Sequence, residues 1–436
     1  MAKFGEVFSR VFRQAFGQFK RRSLGKMPKN SSPVVGEKVL MFGWELPPFN
    51  SGGLGVACFE LARSLTQFGV KVTFVLPQTQ AIKIPFLKLL FADQGNLRVK
   101  SVKTKLHPYI SSKLSKDDLT ESEKERYSQE LVSEVEGYGR RAVKIAKSEK
   151  FDIIHAHDWL SFPAGVEAKR ATGKPLIVHV HATEFDRCGG ECVDARIYEI
   201  EKRGLEAADK IIVVSDFTKR KIIKYYGISA DKIEVVHNGL TSLDRKGKAS
   251  LEAFKKTGYR VVLFLGRMTL QKGPDWFLKA AQKVLRVYPK VLFIMVGTGD
   301  MERQVIEEAA QMGISDRVLF TGYVKNEDLS RMYRTADLYV MPSVSEPFGI
   351  VALEALSYKT PVIISKQSGV AETVNHALKV DFWDTDEIAN KINAILTHPS
   401  LRRCLKNYGE AEAKKNNWRK AALKCIGVYR SFASSK

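Results

Sequence analysis

Two glutamates, Glu346 and Glu354, stand eight positions apart in MPSVSEPFGIVALEALSYKTPVI, residues 341–363. Pro347, Phe348, Gly349, Ile350 and a short apolar run lie between them. A helix starting near Gly349 would spread the two carboxylates over roughly 12 Å, given its rise per residue. That span is too long for two acids acting on one glycosidic oxygen. It suits an elongated ligand with hydroxyls at both ends and a phosphate between them, where a helix start favours anions. Helix-dipole stabilisation would account for Glu346, but not for Glu354 on an apolar stretch.

A second stretch supplies cations. In Gly266-Arg267-Met268-Thr269-Leu270-Gln271-Lys272-Gly273, Arg267 offers a planar fork and Lys272 a point charge. Two fixed cations aimed at a diphosphate stabilise the charge that grows on it as a bond to it breaks. A third stretch, Asn50-Ser51-Gly52-Gly53-Leu54-Gly55, has glycines at which backbone can approach a phosphate closely. It is neither the dinucleotide fingerprint nor a P-loop, and a plain tight turn would use the same residues.

The fourth candidate is a pair of histidine-rich runs, Ile154-His155-Ala156-His157-Asp158-Trp159 and Val178-His179-Val180-His181-Ala182-Thr183-Glu184. Alternate residues of a strand share a face, and the last residue of each run should reach beyond the sheet. His181 is the expected contact with a reacting substrate. His155 and His179 are expected to be buried. Four histidines raise the question of zinc, but their spacing defines no ligand set, and no metal site is expected.

Each of these stretches follows a short apolar run. KVLMFGW, VKVTFVLP, FDIIHAH, PLIVHVH, KIIVVS and IEVVH read as buried strands that alternate with helical patterns. A second series, VVLFLGR, VLFIMVG, RVLFTG, DLYVMPS and PVIIS, begins after residue 259. Such alternation builds a parallel sheet covered on both faces. The fold class is therefore α/β, with two domains in tandem, 37–240 and 260–415. A polar, basic connection, 241–259, joins them, and 416–436 reads as a C-terminal helix. Residues 80–135 read as irregular, Lys-rich loops and helices. Ligands of open α/β sheets bind at the carboxyl ends of strands, and two such domains facing each other make a cleft.

Bulk composition narrows the partners. The 436 residues contain no apolar run long enough to span a membrane. The five cysteines offer one close pair, Cys188 and Cys192, and read as reduced, which points to the cytoplasm. A net charge of +22 attracts polyanions, yet no nucleic-acid-binding signature is present, and nucleic acid is not an expected partner. Residues 1–36 hold eight Lys/Arg against one Glu. Within residues 1–26, Phe4, Val7, Phe8, Val11, Phe12, Ala15, Phe16 and Phe19 recur at helical spacing, with Arg10, Arg13, Lys20, Arg21 and Arg22 among them. Three readings fit: a peripheral contact with an anionic membrane at its inner face, packing on the protein itself, or an Arg-rich targeting peptide. An export signal does not fit, because its apolar core and cleavage site are missing.

Together, Glu346-x7-Glu354 with Pro-Phe-Gly, the Gly266-Arg267…Lys272-Gly273 segment, the Gly52-Gly53 loop and Val236-His237-Asn238-Gly239 resemble the large retaining glycosyltransferase family 4, also called group 1. Trp44-Glu45-Leu46-Pro47-Pro48, Gly52-Gly53-Leu54-Gly55 and His155-Ala156-His157-Asp158-Trp159 are similar to the glycogen and starch synthases. Four motifs in order, over residues 38–430, carry the resemblance.

It implies the GT-B fold, in which two Rossmann-like domains face a central cleft and the final helix crosses back onto the first. It also implies a nucleotide-diphosphate sugar, UDP- or ADP-linked, as co-substrate in the second domain, a glycan acceptor in the first, and no cofactor or obligatory metal. Matched by position, Arg267 and Lys272 bind the donor diphosphate, Glu346 the sugar and Glu354 the ribose. The turn Pro347-Phe348-Gly349-Ile350 presents amides to the phosphates, and Gly52 and Gly53 lie near them. Thr298, Tyr323 and Val324 border the base. His181 matches the histidine beside the reaction centre and joins Arg267, Lys272 and Glu346 as the catalytic set. His157, Asp158, Trp159 and Glu184 are the acceptor-side residues.

Asp384-Thr385-Asp386 looks like the Asp-x-Asp of metal-dependent transferases, but it falls late in the second domain and is set aside. Two positions depart from the synthases. They carry Lys two residues before Gly-Gly, where this chain has Asn50-Ser51, and they usually lack the second glutamate. The expected activity is retaining transfer of a hexose, with glucose favoured, to an α-glucan. The alternative within the class is cell-envelope glycan synthesis at a membrane. A nucleotide-sugar epimerase, which needs no acceptor, and a non-catalytic glucan-binding protein are the readings from other classes. Neither accounts for Arg267, Lys272 and both glutamates together.

Overall fold

The computed structural model describes residues 36–48, 52–79, 84–92, 121–190, 193–240, 258–324 and 326–432. The basic segment 1–26, the linker as far as residue 35, Asn50, Ser51, Cys192 and the interdomain connection up to residue 257 lie outside the described residues.

Seven strands form the first sheet: β1 Lys38–Phe42, β2 Lys71–Leu76, β3 Lys88–Phe91, β4 Ile153–His157, β5 Leu176–Val180, β6 Lys210–Val213 and β7 Ile233–Val235. Their order is β3-β2-β1-β4-β5-β6-β7, and every pair is parallel. Six strands form the second: β8 Arg260–Leu265, β9 Val291–Val296, β10 Val318–Gly322, β11 Leu338–Met341, β12 Val362–Ser365 and β13 Leu378–Val380. They run β10-β9-β8-β11-β12-β13, again parallel throughout. Central strands such as β4, β5 and β9 are buried at every position, as near-continuous apolar runs under helices on both faces require.

Two strands fall where the sequence pattern gave no strand. β3 lies inside the stretch read as irregular, and β13 is three residues long. Both are edge strands. An edge strand is covered less completely, so it needs fewer apolar residues and leaves a weaker signal. The same stretch also contains the start of a long helix, Glu121–Ser148.

The strand order reverses between β1 and β4 in one sheet and between β8 and β11 in the other. Ligands of open α/β sheets bind at such switch points, beyond the carboxyl ends of the strands. The four candidate stretches follow β1, β4 and β5, β8, and β11. They therefore sit at or beside the two switch points.

The last helix, Trp418–Arg430, returns to the first domain. Its Trp418, Ala422, Cys425 and Tyr429 share one core with Val39, Met41, Leu61 and Leu65, and Lys424 Nζ donates to the Val235 carbonyl at 2.9 Å. Leu240 pairs in parallel with Asn417, so the outgoing and returning segments run side by side. A Cβ on Gly239 would lie 2.2 Å from the Trp418 nitrogen, which explains the glycine of the Val-His-Asn-Gly motif. No described helix is long and apolar enough to cross a membrane, and the four described cysteines are free.

Tyr429 ties this helix to the centre of the first domain. Its hydroxyl lies 2.7 Å from His155 Nδ1, with both side chains fully buried. Tyr429→Phe strips that nitrogen of its partner, and a buried polar atom left unpaired costs about 1–3 kcal/mol. A fall of that size is expected in the unfolding free energy from urea titration. An unchanged midpoint would show that the bond is not formed in solution.

Candidate active site

The turn after β11 holds the first carboxylate. Gly349 closes it in a left-handed conformation, φ 105°, and caps the helix Ile350–Ser357. A Cβ there would press to 3.0 Å of Val370 Cγ1 and 3.2 Å of Glu346 Cγ, so the position needs glycine on both counts. No side chain caps this helix, which leaves its first amides suited to an anion. Glu346 is strung between neighbouring loops. Its N–H donates to the Gln367 carbonyl at 2.9 Å, and its carbonyl accepts from Gly369 N–H at 2.9 Å. Its carboxylate takes Lys272 Nζ at 2.6 Å and Ser343 Oγ at 3.2 Å.

Lys272 ends a short 3-10 turn, Leu270–Lys272, that follows β8. Arg267 opens the same loop, with Nη2 3.3 Å from Gln271 Oε1. The Gln271 carbonyl in turn accepts from Val344 N–H at 3.0 Å, which fastens the β8 and β11 loops to each other. Arg267 also lines a small interdomain cavity of about 60 Å³ with Gly52, Gly53, Asp158, Trp159 and Arg187. Arg267 thus meets the glycine loop, while Lys272, at the other end of the same short loop, meets Glu346.

Glu354 lies further along the helix, where its Oε2 accepts from the Tyr333 hydroxyl at 2.8 Å. Burial pushes this carboxyl up to about 7, against the lowering effect of the Tyr333 bond. Thr298 and Val324 are half-buried near the ends of β9 and β10, where Gly297 N–H donates to the Gly322 carbonyl at 2.9 Å. Tyr323 is 70% exposed.

The histidines form a stack. Ring centroids are 4.4 Å apart for His155 and His157, 5.2 Å for His157 and His179, and 4.3 Å for His179 and His181. His155 and His179 are buried, as their place inside the strands suggests. His181 is half-buried just past β5, with Nε2 3.0 Å from His157 Nδ1. Burial holds His155 and His181 down to about 3.

His157, expected on the acceptor side, is instead fully buried behind His181. The cause is register: His157 pairs with His179, one level below His181, so it ends inside the sheet. Asp158 lines the interdomain cavity, Glu184 is buried close to Arg187 in sequence, and both carboxylates are already engaged. Asp158 Oδ1 accepts from the His181 and Ala182 N–H groups at 2.6 and 3.3 Å. Glu184 Oε2 takes Arg187 Nε at 2.8 Å. Trp159 is 3% exposed and packs under the Arg187 guanidinium. Arg187 is the cleft residue the sequence reading missed. Its only local sign is an acidic-basic pair three apart, Glu184 and Arg187. His155, His157 and His179 stack with rings tilted by 7–30°. One ligand atom from each lies within 4.8 Å of the others, as in the groups Cys58, His157, His181 and Asp216, His237, Glu372 among the described residues.

Residues 248–412 match the model of Glycosyl transferases group 1, and residues 126–241 match that of Glycosyltransferase Family 4. A D-inositol 3-phosphate glycosyltransferase of Acidothermus cellulolyticus is 31% identical over 319 residues, 68% of this chain and 70% of that protein. The chain is a group 1 glycosyltransferase. An uncharacterized glycosyltransferase of Methanocaldococcus jannaschii is 28% identical over 410 residues, covering 90% of this chain and 98% of that one. The solved sucrose-phosphate synthase of Thermosynechococcus elongatus has the same fold, with a TM-score of 0.74 at 22% identity over 92% of this chain and 100% of that one. This glycosyltransferase has the GT-B architecture that its motifs implied.

Its two domains are joined by polar contacts that no local motif announces. Glu372, from the second domain, accepts from the Asp216 and Phe217 N–H groups at 2.9 and 2.7 Å, and so caps the first-domain helix Asp216–Tyr226. His237 Nε2 lies 3.3 Å from the same carboxylate. In this glycosyltransferase the Val-His-Asn-Gly stretch thus serves the junction between domains.

Proposed function

We propose that the protein moves a hexose, glucose above others, from a UDP- or ADP-sugar to an acceptor hydroxyl with retention at the anomeric carbon. The observation that carries this reading is the meeting of Lys272 and Glu346 at 2.6 Å, beside Arg267 and before an uncapped helix start. Arg267 and Lys272 take the diphosphate and stabilise its charge as it leaves. Glu346, fixed by Lys272, accepts hydrogen bonds from the donor sugar. Glu354 serves the ribose, and His181 stands where acceptor and donor meet. Retention is what the family resemblance implies, and a cytoplasmic location is the expectation that the few scattered cysteines support.

For the acceptor, the names of the relatives favour a small phosphorylated polyol or sugar. Those of the inositol phosphate glycosyltransferases and of sucrose-phosphate synthase both include a phosphate. An α-glucan is the second reading, carried by the synthase-like runs Trp44–Pro48 and His155–Trp159. Trp44 and Trp159, at 7% and 3% exposure, lie in the first-domain core, so neither ring supplies a platform for a glucan chain. The test is release of nucleotide diphosphate from UDP-, ADP- and GDP-sugars with inositol phosphate, hexose phosphates or glycogen. Release from UDP- or ADP-glucose raised by a phosphorylated acceptor supports the first reading, and release raised by glycogen moves the acceptor to the second. No release from any donor with any acceptor would overturn both.

We also assign residues 1–26 to an anionic membrane surface, on the spacing of their aromatics in the sequence and on their cations. Deleting residues 1–33 should abolish co-sedimentation with phosphatidylserine-containing liposomes while transfer to a dissolved acceptor continues. Equal sedimentation of both forms would sink this assignment.

A further inference from the structure

The residues on either side of Glu346 are held by the opposite domain. Ser345 Oγ donates to Asp186 Oδ1 at 2.6 Å and accepts from Lys221 Nζ at 2.6 Å. The Pro347 carbonyl accepts from Ser215 Oγ at 2.6 Å. Asp186, Lys221 and Ser215 all belong to the first domain, while Glu346 itself is bonded to the second through Gln367, Gly369 and Lys272. The junction is tight: a Cβ on Gly369 would lie 2.3 Å from the Pro347 oxygen and 2.5 Å from Ser215 Cβ.

The first-domain end of this tether is rigid. Asp186 is fully buried, and its second oxygen accepts from the Thr183 N–H and hydroxyl, each at 2.8 Å. Those bonds close a capping box on the turn that follows His181. Lys221 closes the charge, with Nζ 2.6 Å from Asp186 Oδ1. Burial alone would raise the Asp186 carboxyl, but Lys221 and Ser345 outweigh it and hold it below the ordinary range. A buried carboxylate with a full set of partners is a fixed point. Here it fixes a loop of the other domain, 159 residues away in sequence.

We propose that Asp186 and Lys221 are positioning residues for glycosyl transfer: through Ser345 they hold the turn that carries Glu346 in its working place across the junction of the two domains. The inference rests on the role given to Glu346 above. The chemistry needs that carboxylate placed to a fraction of an ångström, because a misplacement of about 1 Å costs on the order of 100-fold in rate. The second domain holds the backbone of the turn at Val344, Ser345, Glu346 and Phe348, and the first adds bonds to the Ser345 hydroxyl and the Pro347 carbonyl. Donor-side and acceptor-side groups are thereby brought into register by one buried cluster that touches neither substrate.

Lys221→Met leaves Asp186 as a buried charge without its counterion, which strongly destabilises proteins. Ser345→Ala is therefore the primary variant, since it removes one hydroxyl and keeps the ion pair. Its kcat is expected to fall about 10-fold or more at temperatures where the variant stays folded, with the dissociation constant for UDP unchanged and the melting temperature lowered by the lost buried hydrogen bonds. Ser345→Thr, which keeps a hydroxyl, should recover most of the rate. Lys221→Met with Ser345→Ala should be no slower than Lys221→Met alone, because both act through one contact.

Hydrogen exchange supplies a readout that needs no turnover. Amides of residues 343–349 should exchange faster in Ser345→Ala than in the wild type. If the wild type transfers no sugar, the functional reading fails while the exchange result still decides whether the tether holds. Wild-type exchange and wild-type kcat in Ser345→Ala would overturn the proposal. So would losses from Lys221→Met and Ser345→Ala that simply multiply.

Discussion

Lys272→Ala should lower kcat by about 100-fold or more, and Arg267→Ala should do the same. Both side chains leave the loop after β8 at the switch point of the second sheet, where a diphosphate would lie. Negative charge on that group grows as the sugar departs, so a cation there is worth more in the transition state than in the ground state. Lys272 carries a second burden. Its ammonium is the close counterion of Glu346, 2.6 Å away, on a carboxylate that also accepts from the Ser343 hydroxyl at 3.2 Å. Removing Lys272 subtracts one positive charge and leaves an uncompensated negative one beside an anionic ligand. Arg267→Ala lacks that second effect. Adding Glu346→Gln to Lys272→Ala should therefore lower the rate by less than the product of the two single losses. Steady-state assays with the donor identified by the nucleotide panel decide the matter. Near-normal turnover in either single variant would remove that residue from the leaving-group role, and a fully multiplicative double variant would separate Lys272 from Glu346.

What could be read in the sequence divides along physical lines. Central strands were legible because burial on both faces demands unbroken apolar runs, and the four chemical stretches were legible because they follow those runs. Edge strands β3 and β13 were not, since partial cover asks less of composition. His157 was misplaced for a subtler reason. Alternation gives the face a residue shares, but only the register between β4 and β5 gives its level, and register is a tertiary fact. Arg187 was missed because the reading of its strand end stopped at Glu184. Asp186, Lys221 and Ser345 form one cluster from three distant places in the chain. Each looks like an ordinary surface residue of a polar turn or helix, and nothing local marks it as buried.

The histidine stack leads to a measurement of a different kind. His179 is buried, and neither of its ring nitrogens has a hydrogen-bond partner among the described residues. Burial, and then the neighbouring histidines, hold its pKa well below the ordinary histidine range. In the folded protein the ring therefore stays neutral, while in the unfolded chain it takes a proton below about 6.5. The unfolded state then binds more protons, so this residue's contribution to stability is complete above that pH and shrinks as the pH falls toward the folded pKa. The slope is about 1.4 kcal/mol per pH unit. His179→Leu removes the proton site and keeps an apolar side chain of similar size. Relative to wild type it should gain stability as the pH falls from 6.5 to 5. The comparison must be variant against wild type, because other groups titrate in the opposite sense. Burial raises Asp158 and Glu354 to about 7, so the folded state takes up their protons first and gains stability on acidification, which offsets the histidines in the total. Urea unfolding of both proteins at pH 8 and pH 5 isolates the one residue. A stability difference that is the same at both pH values would mean that His179 is protonated within the fold or exposed to water, and the buried stack behind His181 would have to be given up.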